Sequence, residues 1–176
     1  NNKNTIIIIS SRQHGFLCRN EMQKLTIPAE YILEETGRNT AAAVFFAALA
    51  SNIDDILCIM PSDHWISDDT YYCNLVNSGI PEACKSKWVT FGIKPTLPAT
   101  GYGYIKTKNV NNRILDVEEF VEKPNKQKVI KFLNQKNYFW NSGIFLVTAK
   151  KCLESFQNFQ PELVKFASEC WNNKVI

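Results

Sequence analysis

No two cysteines are spaced Cys-x-x-Cys, although the chain holds six of them, at positions 18, 58, 73, 84, 152 and 170. That absence removes the usual structural zinc sites. An even count would suit disulfides, but Cys58 lies in an apolar, strand-like run and reads as a small hydrophobe. Reduced thiols and a cytoplasmic location are the expectation. Long hydrophobic runs are also missing: Ile6–Ile9 is far shorter than the roughly 20 residues of a membrane-spanning helix and lacks a leader cleavage pattern. No membrane association is expected. Neither charge dominates, since 20 basic and 17 acidic side chains leave a net charge of +3. That is too mild to point to nucleic acid. No repeat, low-complexity tract or Gly/Ser linker interrupts the 176 residues, so residues 1–176 read as one domain, or part of one.

What is present is ordinary globular material, with 45% hydrophobic and 21% charged residues. A chain of this length can bury roughly 70% of its unfolded surface without a covalent staple. Thr5–Ile9 is a continuous β-branched run of the kind found in buried strands. A weak helical period follows over 13–25, then short strands at Tyr31–Leu33, Ile56–Met60 and Trp88–Ile93. Between them, Ala41–Ala50 is apolar at every position, the mark of a covered helix with Asn39 or Thr40 as its N-cap. Asp68–Asn77 reads as a second helix there. This alternation predicts an α/β fold of Rossmann-like type, with a mixed, mostly parallel sheet and helices on both faces. Later strands are expected at Tyr102–Lys106, Ile114–Val121 and Ile144–Val147. An amphipathic helix is expected at Lys126–Gln135, with Val129, Ile130 and Leu133 on its buried side. Helices over 150–159 and 162–171, separated by Pro161, complete the chain.

Ligands of such sheets collect at strand ends, and five segments near strand ends carry polar chemistry. Asp63 follows Pro61 where an apolar strand exits, and a carboxylate there suits Mg²⁺ together with phosphate oxygens; it also suits a plain turn. Gly37-Arg38-Asn39-Thr40 opens a helix, where free backbone N–H groups attract anions, or where the helix is simply capped. Thr100-Gly101-Tyr102-Gly103-Tyr104 sets glycines among aromatic rings, which fits a sugar pocket or a bulged strand. Glu122-Lys123-Pro124 puts a hydroxyl acceptor beside a phosphate-binding cation; both can serve one ligand only if the chain turns at Pro124. Trp140-Asn141-Ser142-Gly143 offers an amide for paired hydroxyls, or a turn ahead of the next strand.

The order and spacing of these segments, with Phe91-Gly92-Ile93-x-Pro95, resemble the bacterial type of mannose-1-phosphate guanylyltransferase over nearly the whole chain. The resemblance implies a nucleotide-diphospho-sugar transferase fold. It implies transfer of GMP from GTP to mannose 1-phosphate with Mg²⁺, giving GDP-mannose and pyrophosphate. By that likeness Asp63 is a metal ligand and Glu34, Gly37, Arg38, Asn39 and Thr40 surround the guanine nucleotide. Tyr102 and Gly103 line the mannose, Glu122 and Asn141 hold its hydroxyls, and Lys123 holds its phosphate. Ala42 and Glu35 stand where the family usually has proline.

The family's glycine-rich triphosphate loop falls ahead of Asn1, and its second metal-binding aspartate falls after Ile176. The expectation is therefore an incomplete domain, inactive on its own, whose apolar strands Thr5–Ile9 and Ile56–Met60 are left with open edges, so that the chain either closes the gap by rearranging or associates with a copy of itself. A non-catalytic binding remnant, or a sugar nucleotidyltransferase with another base or sugar, are the alternatives.

Overall fold

The computed structural model describes residues 4–37 and 39–173. In chain order the elements are β1 (Ile6–Ser11), α1 (Gly15–Lys24), β2 (Ala29–Glu34), α2 (Asn39–Ala50), β3 (Ile56–Ile59), α3 (Asp69–Cys84), β4 (Val89–Ile93), β5 (Tyr104–Thr107), β6 (Val117–Val121), α4 (Lys126–Leu133), β7 (Tyr138–Thr148), α5 (Ala149–Phe159) and α6 (Pro161–Asn172). They form two compact units, one built from Asn1–Leu57 with Thr148–Ile176, the other from Cys58–Val147.

In the first unit β1 and β2 pair in parallel, in a register running from Ile6↔Ala29 to Ser11↔Glu34. The crossover helix α1 meets β2 at Gly15, where a Cβ would come within 2.8 Å of Leu33. The apolar α2 is covered by the two C-terminal helices. Phe45 meets Phe156 edge-on at 5.3 Å, and Phe46 stacks near Trp171 at 6.2 Å. Val44, Phe45 and Ala48 are buried, as are Cys152 of α5 and Ala167 of α6. The Thr148 hydroxyl accepts from the Lys151 N–H and starts α5, while Pro161 occupies the first turn of α6, where its missing N–H is no loss. The backbone N–H groups of Ala149 and Lys150 donate to the carbonyls of Asp55 and Ile53, tying the two stretches of this unit together.

The second unit is organised around β7. The larger sheet has the order β3-β7-β5-β6, with β4 also pairing β7. The pairs β4–β7, β5–β6 and β5–β7 are antiparallel. Below them lies a core of Tyr104, Val129 and Tyr138, against which Val121, Phe132 and Trp140 pack. Phe132 stacks on Tyr138 at 4.0 Å between ring centres. The buried Tyr104 hydroxyl donates to the Ala99 carbonyl and accepts from Trp140 Nε1, each at 2.9 Å, so its polar end is satisfied.

The mixed α/β class is as expected, with parallel pairing in β1–β2 and antiparallel pairing in the second unit. Four local readings need correction. β4 joins β7 antiparallel rather than continuing a parallel run. α3 continues past Asn77 through Gly79 and Pro81 to Cys84. A Cβ at Gly79 would sit 2.9 Å from Leu146 and 3.2 Å from Val89, so this glycine brings the helix close to the sheet instead of ending it. Ile130 is exposed, and the covered face of α4 is Val129 with Phe132. Asn39 and Thr40 lie inside the first turn of α2, so neither is its cap. Cysteine burial also differs: all six thiols are free, Cys58 is exposed, and Cys152 is the buried one, its thiol pushed up to about 12 by desolvation.

Candidate functional site

Five of the expected site residues meet in the second unit, where β5, β6 and β7 lie side by side. The Asn141 N–H donates to the Gly103 carbonyl at 2.8 Å and joins β7 to the segment leading into β5. A Cβ on Gly103 would stand 3.2 Å from a Glu122 carboxylate oxygen and 3.0 Å from the Phe120 ring. Glycine is what permits this closeness. Tyr102 meets Trp140 edge-on at 5.2 Å and keeps half of its surface open.

The chain turns at Lys123, as Pro124 encourages. β6 ends at Val121, and Lys123 has φ +38°, a left-handed value that side-chain-bearing residues rarely adopt. The turn is held from behind: Pro124 is buried, and the Asn125 side chain accepts from the Lys128 N–H at 3.0 Å to start α4. Lys123 Nζ lies 3.6 Å from Glu122 Oε1, and both heads are largely exposed. Strain of this kind collects at ligand sites.

The Trp140–Gly143 segment differs from its sequence reading. It does not precede a strand but lies within β7, which runs unbroken from Tyr138 to Thr148. Thr90 pairs with Phe145 and Gly92 with Asn141, so one β4 residue faces the three residues from Ser142 to Ile144. This is a β-bulge. Gly143, at φ +73°, supplies the left-handed residue, and the Ser142 hydroxyl accepts from the Ile144 N–H at 3.2 Å. Thr90 Oγ1 lies 2.9 Å from Asn141 Oδ1 and 3.1 Å from the Ile144 carbonyl. Sequence reasoning missed Thr90, because a lone threonine in a strand carries no signal until its partner strand is known.

Asp63 stands on the segment leaving β3. The Pro61 ring of that segment lies 3.3 Å from where a Gly143 Cβ would be, so the segment touches the bulge. The Asp63 carboxylate is open to solvent; its neighbour is His64, at 3.9 Å. Among the described residues no three His, Cys, Asp or Glu side chains are grouped to hold a metal. A single carboxylate with no Lys or Arg partner among the described residues fits Mg²⁺, which keeps several waters and takes its other ligands from phosphates.

The remaining expected residues belong to the first unit. Glu34 ends β2, and partial burial raises its carboxyl above the ordinary range. Arg12 Nε pairs with the next residue, Glu35, at 2.6 Å. Gly37 faces open space, and Thr40 is exposed in the first turn of α2. Asn39 opens that helix, and Arg38 lies outside the described residues. No helix among the described residues is long and apolar enough to cross a membrane.

The arrangement in the second unit offers an acceptor, an amide and a cation around a glycine backbone. That set suits a small polyhydroxylated anion. A nucleotidyl transferase family model matches residues 1–175. The chain is 40% identical to the xanthan biosynthesis protein XanB of Xanthomonas campestris pv. campestris, over 94% of this chain and 36% of that protein. It is 34% identical to a mannose-1-phosphate guanylyltransferase of Escherichia coli, over 98% of this chain and 39% of that protein. The chain therefore spans a little over a third of the length of these relatives. Among solved structures, one titled mannose-6-phosphate isomerase from Helicobacter pylori superposes with a TM-score of 0.89 at 32% identity, covering 96% of this chain and 66% of that one. A mannose-1-phosphate geranyltransferase, so titled, from Thermus thermophilus gives 0.82 at 25% identity, covering 96% and 50%.

Proposed function

Because the chain belongs to the nucleotidyl transferase family, we propose that it is the sugar-phosphate-binding part of a mannose-1-phosphate guanylyltransferase. The observation that carries this reading is the group of Gly103, Glu122, Lys123 and Asn141 in one unit, joined through the Asn141–Gly103 hydrogen bond and the strained turn at Lys123. The Glu122 carboxylate accepts hydrogen bonds from mannose hydroxyls, the Asn141 amide binds a further hydroxyl, and the Lys123 ammonium holds the phosphate. Tyr102 closes one side of the sugar.

The reaction is attack of a mannose 1-phosphate oxygen on the α-phosphorus of GTP. A new P–O bond forms, the bond from the α-phosphorus to the bridging β-oxygen breaks, and pyrophosphate leaves. Such chemistry depends mostly on alignment and on neutralising charge. Asp63 is the residue that would hold Mg²⁺, which when bound neutralises phosphate charge and orients the triphosphate. Glu34, Gly37, Arg38, Asn39 and Thr40 are assigned to the guanine nucleotide on family likeness. Supply of a nucleoside triphosphate places the activity in the cytoplasm.

Calorimetry of the chain with mannose 1-phosphate and GDP-mannose, beside a pyrophosphate-release assay with GTP and Mg²⁺, tests the reading. Binding of both mannose compounds, lost in K123A and weakened in E122Q, is expected. Binding without pyrophosphate release identifies a ligand-holding module, and absence of binding to either compound sinks the proposal.

A further inference from the structure

We infer that Thr90 is a positioning residue for Asn141, fixing which end of its amide is offered to a ligand hydroxyl. An asparagine amide has two unlike ends, an acceptor oxygen and a donor nitrogen, and a half-turn about the last side-chain bond exchanges them. A contact that must read one particular hydroxyl needs that turn blocked. Here the Thr90 hydroxyl donates to Asn141 Oδ1 at 2.9 Å from the neighbouring strand. The oxygen end thereby faces the Thr90 hydroxyl, whose single proton it shares with the Ile144 carbonyl, and Nδ2 is the end left without a partner among the described residues.

The bulge makes this contact reachable. Thr90 pairs with Phe145 in the ladder, four residues beyond Asn141, and regular strands would keep the two side chains apart. The three residues of β7 opposite the single Phe91 gather the strand, so that the Thr90 hydroxyl comes within 2.9 Å of the Asn141 oxygen and 3.1 Å of the Ile144 carbonyl. It thus spans the bulge from Asn141 to Ile144. Gly92, facing Asn141, has no side chain to compete for the space; a Cβ there would strike Phe139 at 2.8 Å. A valine at position 90 has the same shape and the same β preference but no hydroxyl, so it removes the restraint without opening a cavity.

This inference rests on the reading of Asn141 as a sugar contact, and the experiment separates the two. Binding of GDP-mannose is measured by calorimetry for the chain and for T90V, T90S, N141A and the double variant T90V/N141A, each checked for cooperative melting. A neutral hydrogen bond corresponds to roughly threefold to tenfold in affinity. T90V is expected to weaken binding by about that factor, T90S to restore it to within about twofold, and T90V on the N141A background to add less than about twofold. Equal losses in T90S and T90V, or an undiminished effect of T90V on the N141A background, overturn the inference.

The Asn141 side-chain ¹³Cγ resonance, assigned by comparison with N141D, needs no ligand. Loss of the hydrogen bond to Oδ1 is expected to shift it upfield in T90V and to leave it in place in T90S. A resonance unmoved by T90V overturns the inference. If the chain binds no mannose compound while the resonance behaves as expected, the functional reading fails and the positioning of Asn141 stands.

Discussion

Lys123 carries two demands in one residue. Its backbone sits at φ +38°, where a Cβ costs roughly 1–2 kcal/mol, and its ammonium is the cation of the proposed site. Two substitutions separate the demands. K123A keeps the strain and removes the charge, whereas K123G removes both, although the added freedom of the unfolded chain gives back part of the gain. Both should lose tenfold or more of hexose-phosphate affinity, and K123G should melt as the more stable of the two by up to about 1 kcal/mol. Calorimetry and thermal melts check this; a K123G chain that melts below K123A removes the argument for strain at the site. Glu122 and Lys123 were legible as an acceptor and a cation at a strand end, whereas Asn141 was read ahead of a strand and lies inside β7. The Thr90 contact was not legible, because it depends on a pairing between strands that are distant in sequence.

Elements were legible where pattern and packing agree. The apolar run of α2 and the β-branched run of β1 appear close to where expected. They were misread where tertiary packing overrides local punctuation. Ser78-Gly79 and Pro81 look like a stop, yet α3 runs through them because Gly79 fits against Leu146 and Val89. In α4 the error was one of phase: Val129 and Phe132 face the aromatic core while Ile130 faces solvent. Asn141-Ser142-Gly143 looks like a turn, yet the pairing with β4 makes it a bulge.

The end of α3 carries its own pH dependence. Glu82 reaches Lys85 at 2.6 Å and Lys87 at 2.8 Å, and hydrogen bonds from the two ammonium groups, Lys85 first, lower its carboxyl from 4.5 to about 2. A carboxyl lowered by folding stabilises the protein above its unfolded value, and that contribution is lost as the pH falls toward the folded one. E82Q should therefore melt below the parent chain near neutral pH, with the gap closing between pH 4.5 and about 2. A gap that is constant over that range would show that Glu82 contributes no linked stability.

At the scale of the molecule the strands of the described residues fall into two sheets. β1 is an edge of the two-stranded sheet, and β3 is an edge of the larger one. Both are short aliphatic strands, and open edges of that kind recruit further strands. Light scattering after gel filtration should show association that grows with concentration. A compact monomer at every concentration, with cooperative melting, would count against it. The α/β class was legible from the alternation of periods, but the antiparallel assembly around β7 was not, because its partners lie far apart in the sequence.

One unit is interrupted by the other, and a nascent chain meets that interruption in order of synthesis. Cys58–Val147 is complete, and free to collapse, as soon as β7 has emerged. The helix bearing Val44, Phe45 and Ala48 emerges earlier, yet the helix that supplies Phe156 is made only afterwards. Throughout that delay its greasiest surface is uncovered, so translation stalled before α5 should yield the species a holdase binds most tightly.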